Sequence, residues 1–175
     1  MSWIMVDIEA DGPIPGDFSM IEIGAVIIDK EGKLDKTFYG KLKPISNNYS
    51  EEALKSIGLK REDTFVGAEN PDIIMLRFYN WIRLNSKDRH MFISDNNGFD
   101  WMFVCWYFQH FIKMNPFGFS SSNLGSMYKG LVKNVFKNFK HLRQTRHSHH
   151  PVEDAIGNAE ALLYMINKMG LNIKL

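Results

Sequence analysis

Residues 2–9, "SWIMVDIE", form an apolar, branched-residue run with two acids embedded in it. No other feature constrains the fold as tightly. The run reads as a buried strand, and the turn-rich "ADGPIPGD" that ends it reads as a loop. Side chains alternate along a strand, so Asp7 and Glu9, two positions apart, point to one face. Two carboxylates at the end of a buried strand repel each other and lose solvation unless a cation joins them. A divalent metal is the usual solution, and oxygen-only ligands favour Mg²⁺ or Mn²⁺. A lone Asp-x-Glu pair is also what a strand ending in water looks like, so the remaining acids matter.

The rest of the chain reads as strands first and helices after. "MIEIGAVIID" (20–29) is a second strand, "KEGK" (30–33) a turn and "LDKTFYGKLKP" (34–44) a third strand, an antiparallel meander. "SEEALKSIG" (50–58) is a short helix with a Ser cap, an acidic first turn and a following Gly. "NPDIIMLRFYNWIRLN" (70–85) places Ile74, Phe78, Trp81 and Ile82 at helical spacing, and "HMFISD" (90–95) is a fourth strand. "FDWMFVCWYFQHFI" (99–112) is too long and apolar for a strand and reads as a buried helix, with Cys105 a small core residue. Residues 123–140 read as partly helical, with Lys129, Lys133 and Lys137 on one face. A last helix starts near Pro151, with Ala155, Ile156, Ala159, Leu162, Leu163 and Ile166 as its apolar stripe. One further β–α step after the meander implies an α/β domain with a mixed sheet.

At 175 residues, 45% of them hydrophobic, the chain is expected to fold as a single domain over 1–175. It has no apolar run long enough to span a bilayer and one cysteine, and its N-terminus does not resemble a signal peptide, so a cytoplasmic setting is expected. Charge is uneven. Residues 1–100 hold 17 acids against 12 Lys and Arg, whereas residues 101–152 hold seven Lys and Arg and no acid. An acid-free stretch of that length suits a polyanion, or is simply a solvated basic face.

Two more acids stand at the starts of helices. Asp100 opens the apolar helix in "DNNGFDWMF", and Asp154 opens the last helix in "HHPVEDA". Either could serve only the helix dipole, but with Asp7 and Glu9 they suggest one site. Here the sequence resembles a known family. "VDIEADG", "DNNGFDWMF" and "HHPVEDA" are similar, in order, to the three motifs of the DEDDh 3′–5′ exonucleases, of the ribonuclease T and oligoribonuclease type. In the third motif a His stands five positions before the last Asp, a register that selects His149. The chain departs from the family around the first motif, at Ile8, Ala10 and Asp11, and before the second, where Asp95 stands in place of a His.

The resemblance implies a ribonuclease-H-like fold with a mixed five-stranded sheet flanked by helices. It implies that Asp7, Glu9, Asp100 and Asp154 hold two Mg²⁺ or Mn²⁺ ions and that His149 is the general base, with His150 as the rival. His147 is expected at the surface or on a phosphate. It places Ala10, Asp11 and Met20 against the terminal nucleotide, Asn96 is a further candidate substrate contact, and Lys133, Lys137, Arg143 and Arg146 are candidates to guide the phosphate backbone. The expected activity is metal-dependent release of nucleoside 5′-monophosphates from the 3′ ends of single strands, RNA before DNA. A DNA-directed exonuclease and a binding protein without turnover are the alternatives. The aromatic run "WMFVCWYFQHF" adds the expectation of a homodimer.

Overall fold

The computed structural model describes residues 1–175 apart from Lys30 and Asp88. Five strands form one sheet in the order β3-β2-β1-β4-β5. The central strand, β1 (Ser2–Ala10), pairs antiparallel with β2 (Met20–Ile28) and parallel with β4 (His90–Ser94). Strand β3 (Thr37–Lys41) continues the meander on one edge, and β5 (Ser121–Asn123) adds a parallel strand on the other. The sheet is therefore mixed and five-stranded, as expected.

Alternation along β1 sorts its side chains between two cores. Ile4, Val6, Ile8 and Ala10 face one core, with Ile74, Phe78 and Ile82 of α2 (Pro71–Asn85) and Phe103, Val104 and Tyr107 of α3 (Asn97–Tyr107). Trp3 and Met5 face the other, with Leu124 and Tyr128 of α4 (Leu124–Leu131) and Ala155, Ala159 and Leu162 of α5 (Pro151–Met169). Asp7 and Glu9 continue the parity of Trp3 and Met5, so they point to the side on which α5 packs.

The short helix α1 is Glu51–Ser56, and the Ser50 side chain accepts from the Ala53 amide at 3.2 Å, the cap the sequence announces. Three expectations change in detail and a fourth falls partly outside the described residues. The third strand is shorter than 34–44. The turn expected over 30–33 includes Lys30, which lies outside the described residues. The long apolar helix ends as α at Tyr107 and runs on as a π-helical turn, Phe108–Ile112, with Cys105 only partly buried. The stripe of Lys129, Lys133 and Lys137 does not exist as a helix face. Helix α4 stops at Leu131, and Lys133 turns into the left-handed region at φ 54°.

Gly24 shows how the sheet admits the last helix. It pairs with Asp7 across β1 and β2, and a Cβ built on it would lie 2.2 Å from the Pro151 carbonyl carbon. Only a residue without a side chain lets the first turn of α5, and with it Asp154, approach the sheet beside Asp7. Gly24→Ala is expected to cost roughly 1–3 kcal/mol of stability through overpacking against backbone that cannot yield. Gly98→Ala, in the first turn of α3 with nothing within 4 Å of its built Cβ, is expected to be neutral or slightly stabilising. Thermal denaturation of the two variants beside wild type checks the pair.

Candidate metal centre and nuclease site

The C-terminal end of β1 is where three elements bring their acids together. Strand β1 supplies Asp7 and Glu9, and the first turn of α5 supplies Asp154. Carboxylate oxygens of these three lie within 4.8 Å of one another. Asp100 arrives from the first turn of α3, which follows β4, the parallel neighbour of β1. Its repulsion reaches both Asp7 and Glu9.

The electrostatics follow from that crowding. Burial, then repulsion by Asp100, Glu9 and Asp154, holds the Asp7 carboxyl well above the usual carboxylate range, and the Arg143 guanidinium offsets only part of this. Glu9 is pushed up to about 8 by burial first, then by Asp154, Glu22 and Asp100. Glu22 is its register partner on β2, on the same face. Asp100 is pushed up to about 7, chiefly by burial and against the Ser94 hydroxyl, which lowers it. Carboxylates in this state take protons or cations near neutral pH.

The donor set fits a hard divalent cation. All the converging atoms are carboxylate oxygens, and Asp100 Oδ2 is buried with no hydrogen-bond partner, as an atom reserved for a ligand would be.

Helix α5 also holds the histidine loop in place. Glu160 accepts from the Gln144 and Thr145 amides at 2.8 and 2.7 Å. Asp154 accepts from the Ser148 and His149 amides at 3.3 and 3.0 Å, and Glu153 accepts from the Ser148 hydroxyl at 2.6 Å. His149 adopts φ 59°, a left-handed conformation that a non-glycine residue keeps only when its surroundings hold it there. That geometry leaves its Nδ1 3.7 Å from Glu9 Oε1, with the side chain 42% exposed. His150 points elsewhere and stacks on Tyr39 of β3 at 5.3 Å. His147 is at the surface, one of its two expected places, with its side chain 51% exposed, and it also reaches Asp154 Oδ1 through Nδ1 at 2.7 Å, its ring 4.2 Å from that of His149.

The candidate substrate contacts divide. Ala10 lines a cleft of about 350 Å³ with Glu9, Gly12, Ser50 and Phe99, beside the acids. Asn96 is exposed at the N-terminus of α3, and Lys133, Lys137 and Arg146 are exposed. Three are placed otherwise. Asp11 is fully buried, accepting from the Ser19 amide at 2.5 Å and from Arg61 at 2.7 Å, so it braces the loop after β1. Met20 is fully buried in the core, and its amide donates to the Tyr107 hydroxyl at 2.7 Å. The Arg143 side chain is only 8% exposed, 3.7 Å from both Asp95 and Asp154, and it donates to Asn158. It balances charge behind the acids and is not free to meet a phosphate. The roles of Asp95, Asn158 and Glu160 carry no local sequence signal, because each depends on partners far along the chain.

Comparisons with known proteins bear on the family and the fold. The family profile described as the 3′-5′ exoribonuclease Rv2179c-like domain matches residues 2–166. The 3′-5′ DNA exonuclease Cap18 of Escherichia coli is 36% identical over 131 residues, covering 74% of this chain and 68% of that protein. Among solved structures, cell-death related nuclease 4 (CRN-4) superposes with a TM-score of 0.76 at 17% identity, covering 95% of this chain and 64% of that one. E. coli Exonuclease I in complex with a dT13 oligonucleotide gives 0.74 at 15% identity, covering 96% of this chain and 41% of that one. A 3′-exonuclease described for 3′-end specific recognition of a histone mRNA stem-loop gives 0.74 at 14% identity, covering 98% of this chain and 66% of that one. This chain thus spans about two thirds of the first two relatives and less than half of Exonuclease I. The fold is ribonuclease-H-like, as the resemblance implied. Matched by the profile over nearly its whole length, the chain belongs to the 3′-5′ exoribonuclease Rv2179c-like domain family.

Proposed function

We propose that this chain is a single-domain, metal-dependent 3′–5′ exonuclease that removes nucleoside 5′-monophosphates from the 3′ ends of single strands, RNA in preference to DNA. The observation that carries the reading is the convergence of Asp7, Glu9 and Asp154 within 4.8 Å, with His149 3.7 Å from Glu9. Asp7, Glu9, Asp100 and Asp154 are the residues that would hold the cations, Mg²⁺ or Mn²⁺. Divalent cations bound there would supply Lewis-acid polarisation of the scissile phosphodiester and of the attacking water. His149 takes the water's proton on its unprotonated ring nitrogen. The Glu9 carboxylate stabilises the imidazolium that results, and the Asp154 bonds to the Ser148 and His149 amides keep the loop in position.

The family description supports RNA as substrate. A second reading, DNA as the physiological substrate, is favoured by the 36% identity to a protein named as a DNA exonuclease. Among the described residues no helix is long and apolar enough to cross a membrane. A cytoplasmic setting and a homodimer belong to the same proposal. Partly buried Trp101, Met102, Trp106 and Phe111 support the dimer as apolar surface on α3 and its π-helical extension.

Purified protein given single-stranded RNA and DNA of one sequence is expected to degrade them from the 3′ end with Mg²⁺ or Mn²⁺ and to stop in EDTA. A 3′-phosphate block should prevent degradation and a 5′ block should not. Internal fragments from a 3′-blocked strand, or activity that survives EDTA, would contradict the reading. His149→Ala is expected to lower kcat by roughly 10²–10⁴, the usual contribution of a general base, with partial recovery as pH rises and hydroxide becomes available. His150→Ala should cost much less, because its ring is stacked on Tyr39. Steady-state kinetics of the two variants decides between them, and a larger loss from His150→Ala would move the base by one residue.

A further inference from the structure

The loop between α4 and the histidine segment displays an aromatic ring to solvent. Phe136 is 95% exposed and its neighbour Val135 is 68% exposed. Exposure of this kind would mean little on a loose loop, but the backbone here is tied down at several points. The Lys133 amide donates to the Gly130 carbonyl at 3.2 Å and the Asn134 amide to the Lys129 carbonyl at 3.0 Å. The Asn134 side chain accepts from the Phe136 amide itself at 3.0 Å. Three residues on, Phe139 is buried at 1% exposure in the core beneath α5, with the Arg143 guanidinium 5.7 Å from its ring. One Phe of the segment is thus the anchor, and the other is held out in water at the cost of hydrating an apolar ring.

The charge around it is of one sign. Lys129, Lys133, Lys137, Lys140 and Arg146 are all exposed, in a stretch, 101–152, without a single acid. A flat apolar ring among cations is the pairing that binds single-stranded nucleic acid without reading its sequence, with bases on the ring and phosphates on the cations. A second copy of this chain meeting the loop by two-fold symmetry would bring the same cations against these.

Building on the exonuclease reading above, we propose that Phe136 is a base-stacking platform for the strand upstream of the 3′ end, with Lys133 and Lys137 holding the flanking phosphates. Seven residues separate Phe136 from Arg143, which lies 3.7 Å from Asp154. At ~3.3–3.6 Å per extended residue, the two Cα atoms are no more than about 25 Å apart. That bound keeps the ring within reach of a strand whose 3′ end lies at the acids, and the proposal sets it on bases upstream of the terminal nucleotide, so that it acts on long substrates.

The test is fluorescence anisotropy with a labelled 12-nucleotide single strand and a dinucleotide competitor, in EDTA so that the strand stays intact, alongside wild-type degradation of the 12-mer with Mg²⁺. Phe136→Ala is expected to raise the Kd for the 12-mer by roughly 5- to 150-fold, with the Kd for the dinucleotide unchanged. Phe136→Trp should keep wild-type affinity. Phe136→Leu, apolar without a π face, should lose it. The slope of log affinity against log salt should stay parallel to wild type in Phe136→Ala and become shallower when Lys133 and Lys137 are both changed to Glu. Undiminished 12-mer binding by Phe136→Ala, or wild-type affinity in Phe136→Leu, overturns the platform while leaving the exonuclease reading intact. A change of oligomeric state in Phe136→Ala, seen by sedimentation, assigns the ring to a second copy and overturns it as well. Wild-type protein that neither binds nor degrades the 12-mer overturns the exonuclease reading, and the platform with it.

Discussion

Four carboxylates that repel one another are held together at one end of a sheet, and much of the structure around them is what that costs. Asp7 and Glu9 cannot move apart, because both sit on one strand, where β2 pairs with them at Gly24 and Glu22. Asp154 is held close because Gly24 admits the first turn of α5. The consequence is visible in Asp7, held well above the ordinary carboxylate range, and in Glu9 and Asp100, raised to about 8 and about 7. Asp7 and Glu9 are raised by repulsion as well as by burial. Such an arrangement is unfavourable for the empty protein and favourable for a protein that binds cations.

Arg143 is the nearest fixed counterweight. Its guanidinium lies 3.7 Å from Asp95 and from Asp154 and bonds to Asn158, and its charge pulls Asp7 back down. Fixed positive charge there lets the acids coexist without filling the place of a metal. The same helix that carries Asp154 and Asn158 carries Glu160, whose bonds to the Gln144 and Thr145 amides begin the loop that ends at His149. One helix thus carries a proposed ligand, an anchor for the counter-charge and the bonds that hold the proposed base. A shift of α5 would disturb all three at once, which links its packing against β1 and β2 to chemistry.

Much of this was legible in the sequence where physics is local. Alternation put Asp7 and Glu9 on one face, Ser50 and its acidic neighbours marked α1, and Pro151 with its apolar stripe marked α5. The resemblance to three spaced motifs joined Asp100 and Asp154 to that pair. What was not legible depends on distant partners. Asp11 reads like a substrate contact until Arg61, 50 residues on, closes over it. Met20 is held by the core it packs in and by its amide's bond to the Tyr107 hydroxyl, and Arg143 turns inward to Asn158. Strand β5 is three polar residues, Ser121–Asn123, with no alternation to announce it. The lysine stripe failed for a local reason: four-residue spacing says where side chains fall on a helix that persists, and this helix ends at Leu131.

The central claim is that this acid cluster is strained when empty and relieved by a divalent cation, and the thermal stability of metal-free protein against pH tests it most directly. Carboxyls whose folded pKa is raised stabilise the fold fully below the unfolded value, about 4. That contribution is lost as pH climbs through the folded values, about 7 for Asp100 and about 8 for Glu9. The Tm of the metal-free protein should therefore fall between pH 5.5 and 8.5. Mn²⁺ at ~100 times its Kd should add about 2.7 kcal/mol, or roughly 5–11 °C, at the upper end of that range. In Asp7→Asn both the fall with pH and the Mn²⁺ response should shrink. A Tm that is flat or rising over this range in metal-free wild type, together with no response to Mn²⁺, would contradict the account.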